Sequence, residues 1–242
     1  MAERTLDAAF AARLEVDAAT AGRSVRVPGG TLLRSPRFPS SWDLNQVVLD
    51  PGAGPDEVAA AIGVVECELA AAAHRRVSIF APGAPVVAPD GWELEEQLIM
   101  LWPSSRPAPA WPAEVTEVDV EALRGPHAEM WRCEGIVDAA DELADMQLAF
   151  GRYPGARPVA ALDPGDGRVL AWAQLANGSI DDVWVWPDER GRGLGRAVTA
   201  AAVAAGGWFL GTDVTDPRPQ GLYRSLGFEE RGRLVQLTRH AG

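Results

Sequence analysis

Residues 185–197 have the sequence Val-Trp-Pro-Asp-Glu-Arg-Gly-Arg-Gly-Leu-Gly-Arg-Ala. An apolar, strand-like run from Asp182 to Trp186 leads into this stretch, and an alanine-rich, helix-like run starts at Leu194. The turn between them is rich in glycine and arginine. Glycine lets the backbone approach an anion closely, and the open amides at a helix start carry partial positive charge. The pattern therefore predicts a strand–loop–helix unit that binds a phosphate group.

The spacing of the glycines limits which phosphate ligand this loop can take. A P-loop has Gly-Lys followed by Ser or Thr, and the chain has no such triplet. A dinucleotide fingerprint, Gly-x-Gly-x-x-Gly/Ala, fails at its third site, which is Arg196 counted from Gly191 and Val198 counted from Gly193. Asp213 lies near the position of a ribose-binding acid, so a nucleotide-binding protein stays an alternative.

A second motif, Leu-Tyr-Arg-Ser-Leu-Gly-Phe, follows at residues 222–228. Leu222 and Leu226 recur at helical spacing, and Gly227 is suited to end the helix before the next strand. Arg190-x-x-Gly193-x-Gly195 resembles the acyl-CoA pyrophosphate loop of the GNAT acetyltransferase superfamily. The second motif is similar to the Leu-Tyr-x-x-x-Gly-Phe segment of the same superfamily, in the expected order and at the expected distance. The resemblance covers about residues 114–238.

The resemblance implies acetyl-CoA as the cosubstrate and no metal. Backbone amides of the loop would hold the pyrophosphate, and the arginines within it would add positive charge for the ADP phosphates. The backbone of Val183, Trp184 and Val185 would pair with the pantetheine amides, provided that this strand splays from its neighbour at 208–212. The loop residues so implied are Arg190, Gly191, Arg192, Gly193, Leu194, Gly195 and Arg196.

The resemblance also implies an acid–base pair. Tyr223 matches the position that protonates the leaving CoA thiolate. Family members often use a glutamate on a central strand as the general base, and this chain has none there. Asp182 and Asp213 are the available carboxylates, although each could equally be a solvated strand-end acid. Asp216 replaces an asparagine found in many relatives, which puts the usual hydrogen bond there in doubt.

Hydrophobic periodicity predicts a mixed α/β fold: a GNAT-like fold in the C-terminal half and a degenerate GNAT-like half at the N-terminus. Four prolines in residues 103–112 favour an extended connector, so we expect domains at 1–102 and 113–242. Predicted helices cover 5–21, 56–73, 120–135 and 137–150, with further helices at Leu194 and at Tyr223. Predicted strands are 24–27, 31–34, 45–50, 77–80, 94–102, 114–118, 159–162, 169–175, 180–186, 208–212 and 234–238.

The first half has features of an internal repeat. Pro51 and Pro187 are 136 positions apart, as are Gly91 and Gly227. Apolar strand residues recur at the same interval, although any two strand–helix–strand units could agree this well. Pro55 removes an amide donor from the corresponding loop, and Asp56 and Glu57 follow it. We therefore expect only the second half to bind CoA.

Composition narrows the class of protein. The chain of 242 residues is 47% hydrophobic, which suffices for a sizeable core, and its formal charge of −12 argues against a nucleic acid or an anionic membrane as partner. Without an apolar signal segment we expect a cytoplasmic protein. The two cysteines, Cys67 and Cys133, are expected to be buried free thiols rather than a disulfide or a metal site. None of the three histidines has a partner pattern.

Together these patterns predict an N-acetyltransferase that moves an acyl group from acetyl-CoA to a small-molecule or peptide amine. One alternative is a CoA-binding sensor or interaction protein of the same fold that carries out no chemistry. O- or S-directed transfer is a further alternative. The acceptor, the acyl chain length and the oligomeric state are not encoded in any motif.

Overall fold

A computed structural model describes residues 4–81 and 85–240. The helices are α1 (Leu6–Ala21), α2 (Pro55–Glu68), α3 (Arg124–Cys133), α4 (Ala140–Gly151), α5 (Leu194–Ala204) and α6 (Pro217–Leu226). Two 3-10 turns lie at Val120–Leu123 and Pro187–Glu189. The strands are β1 (Arg23–Val27), β2 (Gly30–Arg34), β3 (Gln46–Leu49), β4 (His74–Phe80), β5 (Glu93–Leu101), β6 (Val115–Glu117), β7 (Val159–Leu162), β8 (Val169–Ala176), β9 (Ser179–Val185), β10 (Phe209–Asp213) and β11 (Glu229–His240).

The chain forms two compact units, and it passes between them before α1, within β5, within β10, before α6 and within β11. The N-unit contains the described residues from 6–99, 211–215 and 231–240. The C-unit contains the described residues from 4–5, 100–210 and 216–230. Both units have a mixed α/β architecture, as predicted.

The N-unit is built on a mixed sheet. β1, β2 and β3 form an antiparallel meander, β3 pairs with β4 in parallel, and β4 pairs with β11 antiparallel. α2 packs on β3 and β4. Apolar side chains from these elements are removed from water and form one core cluster, which favours the folded state in proportion to the area buried; the cluster includes Leu32, Val47, Leu49, Ala61, Val65, Val77, Ile79 and Trp92.

The C-unit contains the antiparallel strands β6, β7, β8 and β9, each paired with the next. α5 packs on β7, β8 and β9, and α3 packs on α4. The alanine-rich sequence of α5 suits this position, because its residues 197–203 are all buried and small side chains allow close approach to the sheet. A tryptophan cluster around the fully buried Trp172 forms part of the core.

The predicted elements occur throughout, with three differences. α2 ends at Glu68 instead of continuing to residue 73. The expected helix over 120–135 starts as a 3-10 turn and becomes α-helical at Arg124, which leaves Pro126 in the first turn, where its missing N–H is tolerated. β11 has 12 residues and is far longer than expected: it starts five residues earlier, at Glu229, and at its other end Arg239 and His240 pair with Arg75 and His74 of β4.

The compact units do not follow the proline-rich segment at 103–112. This segment belongs to the C-unit, where hydrogen bonds anchor it. The Trp102 indole N–H donates to the carbonyl oxygen of Arg106, and the Arg106 guanidinium donates to the carbonyl oxygen of Leu226. The proline-rich segment is therefore held to the C-unit by hydrogen bonds. The expected division into domains at 1–102 and 113–242 stays a prediction.

The elements of the two halves correspond at the 136-residue interval. α1, β1, β2, β3, α2, β4 and β5 fall on α4, β7, β8, β9, α5, β10 and β11 in the same order. Gly91 and Gly227 both have positive φ angles, 76° and 118°, and each precedes a buried aromatic residue. α6 falls on residues 81–90, and it has no helical counterpart at 81 or 85–90, the part of that interval that the structure describes. Duplication of the halves stays a prediction that this order supports.

Three further findings concern the sequence-based exclusions. Within the described residues, no helix combines the length and the apolar character needed to cross a membrane. Residues 4–81 and 85–240 contain no cluster of three or more histidine, cysteine, aspartate or glutamate side chains that could hold a metal ion. The expectation of buried thiols is wrong: Cys67 and Cys133 are unpaired but exposed, since each lies at the solvent side of its helix.

Candidate functional site

The glycine-rich loop opens onto the start of α5. Gly191 and Gly193 adopt left-handed φ angles of 81° and 83°, which L side chains rarely tolerate. A Cβ atom at either position would have no neighbour within 4 Å. Gly193 is the N-cap residue, and no side chain caps α5. The first amides of the helix therefore keep the partial positive charge that binds anions.

Gly195 fixes the distance between α5 and the strand before the loop. A Cβ at this glycine would lie 3.3 Å from Val185 Cγ2 and 3.4 Å from Leu222 Cδ1. Any larger residue would push the helix start away from both neighbours. The three glycines thus have separate roles: two permit the left-handed turn, and one permits close packing.

The outer edge of β9 is free where the sequence predicts pantetheine binding. On one side, Trp184 and Val185 pair with Trp172 and Ala171 of β8. On the other side, β9 pairs in parallel with β10 through Ser179 opposite Phe209. Among the described residues of the C-unit, no second strand pairs with 183–185. Pairing of this edge with pantetheine stays a prediction.

The loop arginines all have partners within the protein. The Nε of Arg190 donates to the carbonyl oxygen of Val185 at 3.2 Å, and its guanidinium lies 5.5 Å from the Trp184 ring centroid. Arg192 forms an ion pair with the buried Glu189, and Arg196 donates to Ser225 Oγ at 2.8 Å. Contact of these arginines with phosphate stays a prediction, and it requires them to exchange or share these partners.

Tyr223 is well placed to stay protonated. Its side chain is buried on α6, and its ring lies 6.0 Å from that of Phe228. Burial, with a smaller contribution from the charge of Asp181, raises the pKa of Tyr223 to about 12. Asp216 caps α6 by accepting a hydrogen bond from the Arg218 amide at 3.0 Å. The departure from the family asparagine at 216 thus leaves a capping acceptor in place.

Asp182 lies in a bulge of β9 with an unusual backbone. The register shifts between the pairs Trp172–Trp184 and Gln174–Asp181, so β9 has one extra residue, and Asp182 has a φ of 52°. Its Oδ1 accepts a hydrogen bond from Gln147 at 2.8 Å, and its Oδ2 accepts one from Gln174 at 3.2 Å. A left-handed non-glycine residue in a bulge is a strained feature of the kind found at functional sites.

His127 lies beside Asp182 and is fully buried. Its Nε2 accepts a hydrogen bond from the Trp172 indole at 2.9 Å and lies 3.9 Å from Asp182 Oδ2. Burial lowers the pKa of His127 to about 4, so the ring is neutral near pH 7 and carries its proton on Nδ1. The hydrogen bonds from Gln147 and Gln174 to Asp182 thus both come from neutral side chains.

The comparison with family models identifies the domain. A model described as an acetyltransferase (GNAT) domain matches residues 159–230. The match runs from β7 into β11, and it contains the bulge, the glycine loop and Tyr223. The second half of this chain contains a GNAT acetyltransferase domain.

Solved structures extend the likeness in fold to the whole chain. A GNAT-family acetyltransferase structure from Novosphingobium aromaticivorans is 19% identical, with a TM-score of 0.59 over 99% of this chain and 100% of that one. A GCN5-related N-acetyltransferase from Kribbella flavida is 21% identical, with a TM-score of 0.63 over 98% and 97%. A conserved protein from Staphylococcus epidermidis is 12% identical, with a TM-score of 0.62 over 91% and 94%. The comparison with curated proteins gave no match.

The two predicted base candidates differ in their surroundings. Asp182 lies inside the matched GNAT domain and borders buried groups. Asp213 is exposed at the end of β10, and its Oδ1 accepts hydrogen bonds from the amide and the hydroxyl of Thr215, at 2.6 and 2.8 Å. These contacts make Asp213 a turn-stabilising residue. The geometry therefore favours Asp182 as the carboxylate with a chemical role.

The side chains that surround Asp182 were not among the residues predicted from the sequence. Gln147, Gln174 and His127 come from α4, β8 and α3, and Gln147 is 35 positions away from Asp182. No local spacing connects residues this far apart. The available signal was the i, i+4 spacing of His127 and Trp131 on α3, which predicts a shared face of the helix.

Proposed function

We propose that this protein transfers an acetyl group from acetyl-CoA to an amine, on a small molecule or a peptide. The observation that carries the proposal is the uncapped start of α5, next to a strand edge that has no second partner among the described residues of the C-unit. The GNAT match over residues 159–230 supports it. When bound, acetyl-CoA supplies the acyl group as a thioester.

In this proposal the pyrophosphate lies at the backbone amides of residues 191–196, and the pantetheine pairs with the free edge of 183–185. The residues present fit such a ligand, since an open helix start binds phosphate and an unpaired strand edge offers both donors and acceptors. Arg190, Arg192 and Arg196 supply positive charge around the loop.

Asp182 and Tyr223 divide the proton transfers. Asp182 accepts a proton from the acceptor ammonium, directly or through water, which frees the nitrogen lone pair to attack the thioester carbonyl. A C–N bond forms and the C–S bond breaks. Tyr223 donates its phenolic proton to the leaving sulfur, a role for which its raised pKa keeps it protonated at neutral pH.

The second candidate is a protein that binds CoA but catalyses no reaction. It is favoured by the hydrogen bonds that Gln147 and Gln174 donate to Asp182, since both carboxylate oxygens already accept hydrogen bonds from the protein itself. The match of Tyr223 to the position that protonates the leaving thiolate in the family favours the transferase instead.

Two successive measurements test the proposal. Calorimetric titration with acetyl-CoA should show one site per chain. Release of free CoA thiol is then followed with a panel of amines, for the unmodified protein, Asp182→Asn and the matched Asp213→Asn. We expect Asp182→Asn to lower kcat about 10²-fold and Asp213→Asn to change it little. Absence of acetyl-CoA binding would reject both candidates, whereas binding with no turnover of any amine would favour the second.

A further inference from the structure

A groove in the N-unit lies between the first two strands and α2. It has a volume of about 510 Å³, which is in the size range of small-molecule sites. Val25, Val27 and Leu32 line it from the strands, and Ala60, Gly63 and Val64 line it from the helix. The GNAT match begins at residue 159, so it does not extend to any of these residues.

One end of the groove carries two arginines whose side chains have no partner in the described part of the chain. Arg23 and Arg34 line it and face each other directly across the β1–β2 pair. Neither side chain has a hydrogen bond or an ion pair to any residue of 4–81 or 85–240. Like charges directly opposite on antiparallel strands destabilise the sheet. The chain has a formal charge of −12, so acidic side chains outnumber basic ones. In such a chain, two facing arginines without an acidic partner among the described residues are unusual.

Apart from Cys67 and Glu68, the rest of the groove is lined by apolar residues, and it is open. Val25 keeps 45% of its surface exposed, which is high for a valine in a strand. A Cβ at Gly63 would meet nothing within 4 Å, so the middle of α2 leaves room above the strands. A glycine inside a helix costs stability relative to alanine, and packing does not require it here. The space is therefore available to a ligand.

We propose that this groove binds a small amphipathic carboxylate, with its head group between Arg23 and Arg34 and its apolar chain along Val25, Leu32 and Val27. Two guanidinium groups can each donate to carboxylate oxygens in the planar geometry that arginine favours. Bound in this way, the ligand removes the repulsion between the two cations.

The net charge of the groove and its length limit the class of ligand further. Glu68 also lines the groove, so the three ionised side chains sum to a single positive charge. This favours a monoanionic carboxylate over a dianionic phosphate ester. From Arg23 to Val27, β1 spans four residue steps, or roughly 13 Å. That length suits a medium-chain fatty acid or an aryl-alkyl carboxylate.

Calorimetric titration with sodium octanoate tests the proposal, with acetate and 1-octanol as probes of the head group and the chain alone. We expect octanoate to bind with one site per chain and both partial probes to bind at least tenfold more weakly. No binding of octanoate, or equal binding of octanol, would overturn the proposal.

Two variants locate the site. Arg34→Glu should weaken octanoate binding at least tenfold while the melting temperature is maintained or raised, because a glutamate opposite Arg23 forms a cross-strand ion pair. Gly63→Leu should fill the groove, with the same loss of binding and a folded protein. Arg26→Gln is the matched control, because the substitution removes a charge from the same strand at a residue that does not line the groove. The Arg26→Gln variant should bind octanoate with unchanged affinity. Unchanged affinity in both test variants would place the ligand elsewhere and overturn the proposal.

Discussion

The loop after β3 and the loop after β9 begin alike and end differently. Each follows a strand, contains a proline and turns through a glycine whose φ is 81°, Gly52 in the first and Gly191 in the second. In the first loop the Gly54 amide donates to the Glu57 carboxylate at 3.0 Å, and Pro55 contributes no N–H to the helix start. In the second, α5 starts without a side-chain cap. One helix neutralises its own positive end, and the other leaves it available to a ligand.

This difference shows that a strand–loop–helix framework does not by itself make an anion site. Two glycines in the left-handed region, no proline at the helix start and no acid in the first turn are needed together. Four variants test the comparison, from the largest expected effect to the smallest.

Gly193→Glu should abolish acetyl-CoA binding, with a loss of at least a thousandfold. The substitution puts an acid among the amides and forces a side chain onto a φ of 83°. Gly52→Glu is the control, since it imposes the same strain at a φ of 81° and its Cβ also meets nothing within 4 Å. Titration of both variants separates ligand repulsion from backbone strain; equal loss of affinity would break the comparison.

Acid should destabilise the protein through one buried histidine in each half. Burial lowers the pKa of His74 and of His127 to about 4, from 6.5. Because the unfolded chain takes up these protons first, each stabilising contribution is complete above pH 6.5 and is lost as the pH falls towards 4. His127→Gln should therefore flatten the fall in unfolding free energy between pH 7 and pH 4 by about 3 kcal/mol. Urea unfolding at a series of pH values measures it, and an unchanged slope would contradict the assignment.

Tyr223→Phe should lower kcat about 10²-fold and leave acetyl-CoA affinity unchanged, because it removes the proton donor but keeps the packing. The first half offers no substitute, since Ala88-Pro89-Asp90 precedes its Gly91. Tyr153→Phe, at the only other tyrosine of the chain, is the control. Single-turnover acetyl transfer measures the effect. Equal rates for both variants would remove Tyr223 from the mechanism.

Glu57→Gln should destabilise the protein by about 1 kcal/mol or less, because it weakens the hydrogen bond at the start of α2. It should not create acetyl-CoA binding in the first half, since Pro55 remains at the helix start. Thermal unfolding and calorimetry check the two parts. A second binding site per chain would show that Glu57 alone separates the two loops.

The site could be predicted from sequence wherever its residues are neighbours in the chain. The loop at 190–196 and the Tyr223 motif needed only spacing, and the strand edge at 183–185 followed from the resemblance. The surroundings of Asp182 could not be predicted, because the bulge and the contacts to Gln147 and His127 depend on the packing of three elements. The same limit applies to Arg23 and Arg34, which face each other only through the register of β1 and β2.

By itself the sequence determined the order of the elements, the glycine loop and the mixed α/β class. Hydrophobic periodicity, turn residues and short motifs each involve a few consecutive residues, so they can be recognised in the sequence alone. Only the tertiary structure decided that β11 pairs with β4, that Asp182 lies in a bulge of β9 and that Gln147 and Gln174 donate hydrogen bonds to its carboxylate. Strand partners and buried hydrogen bonds are chosen by which surfaces can be covered together, and no local pattern encodes that choice.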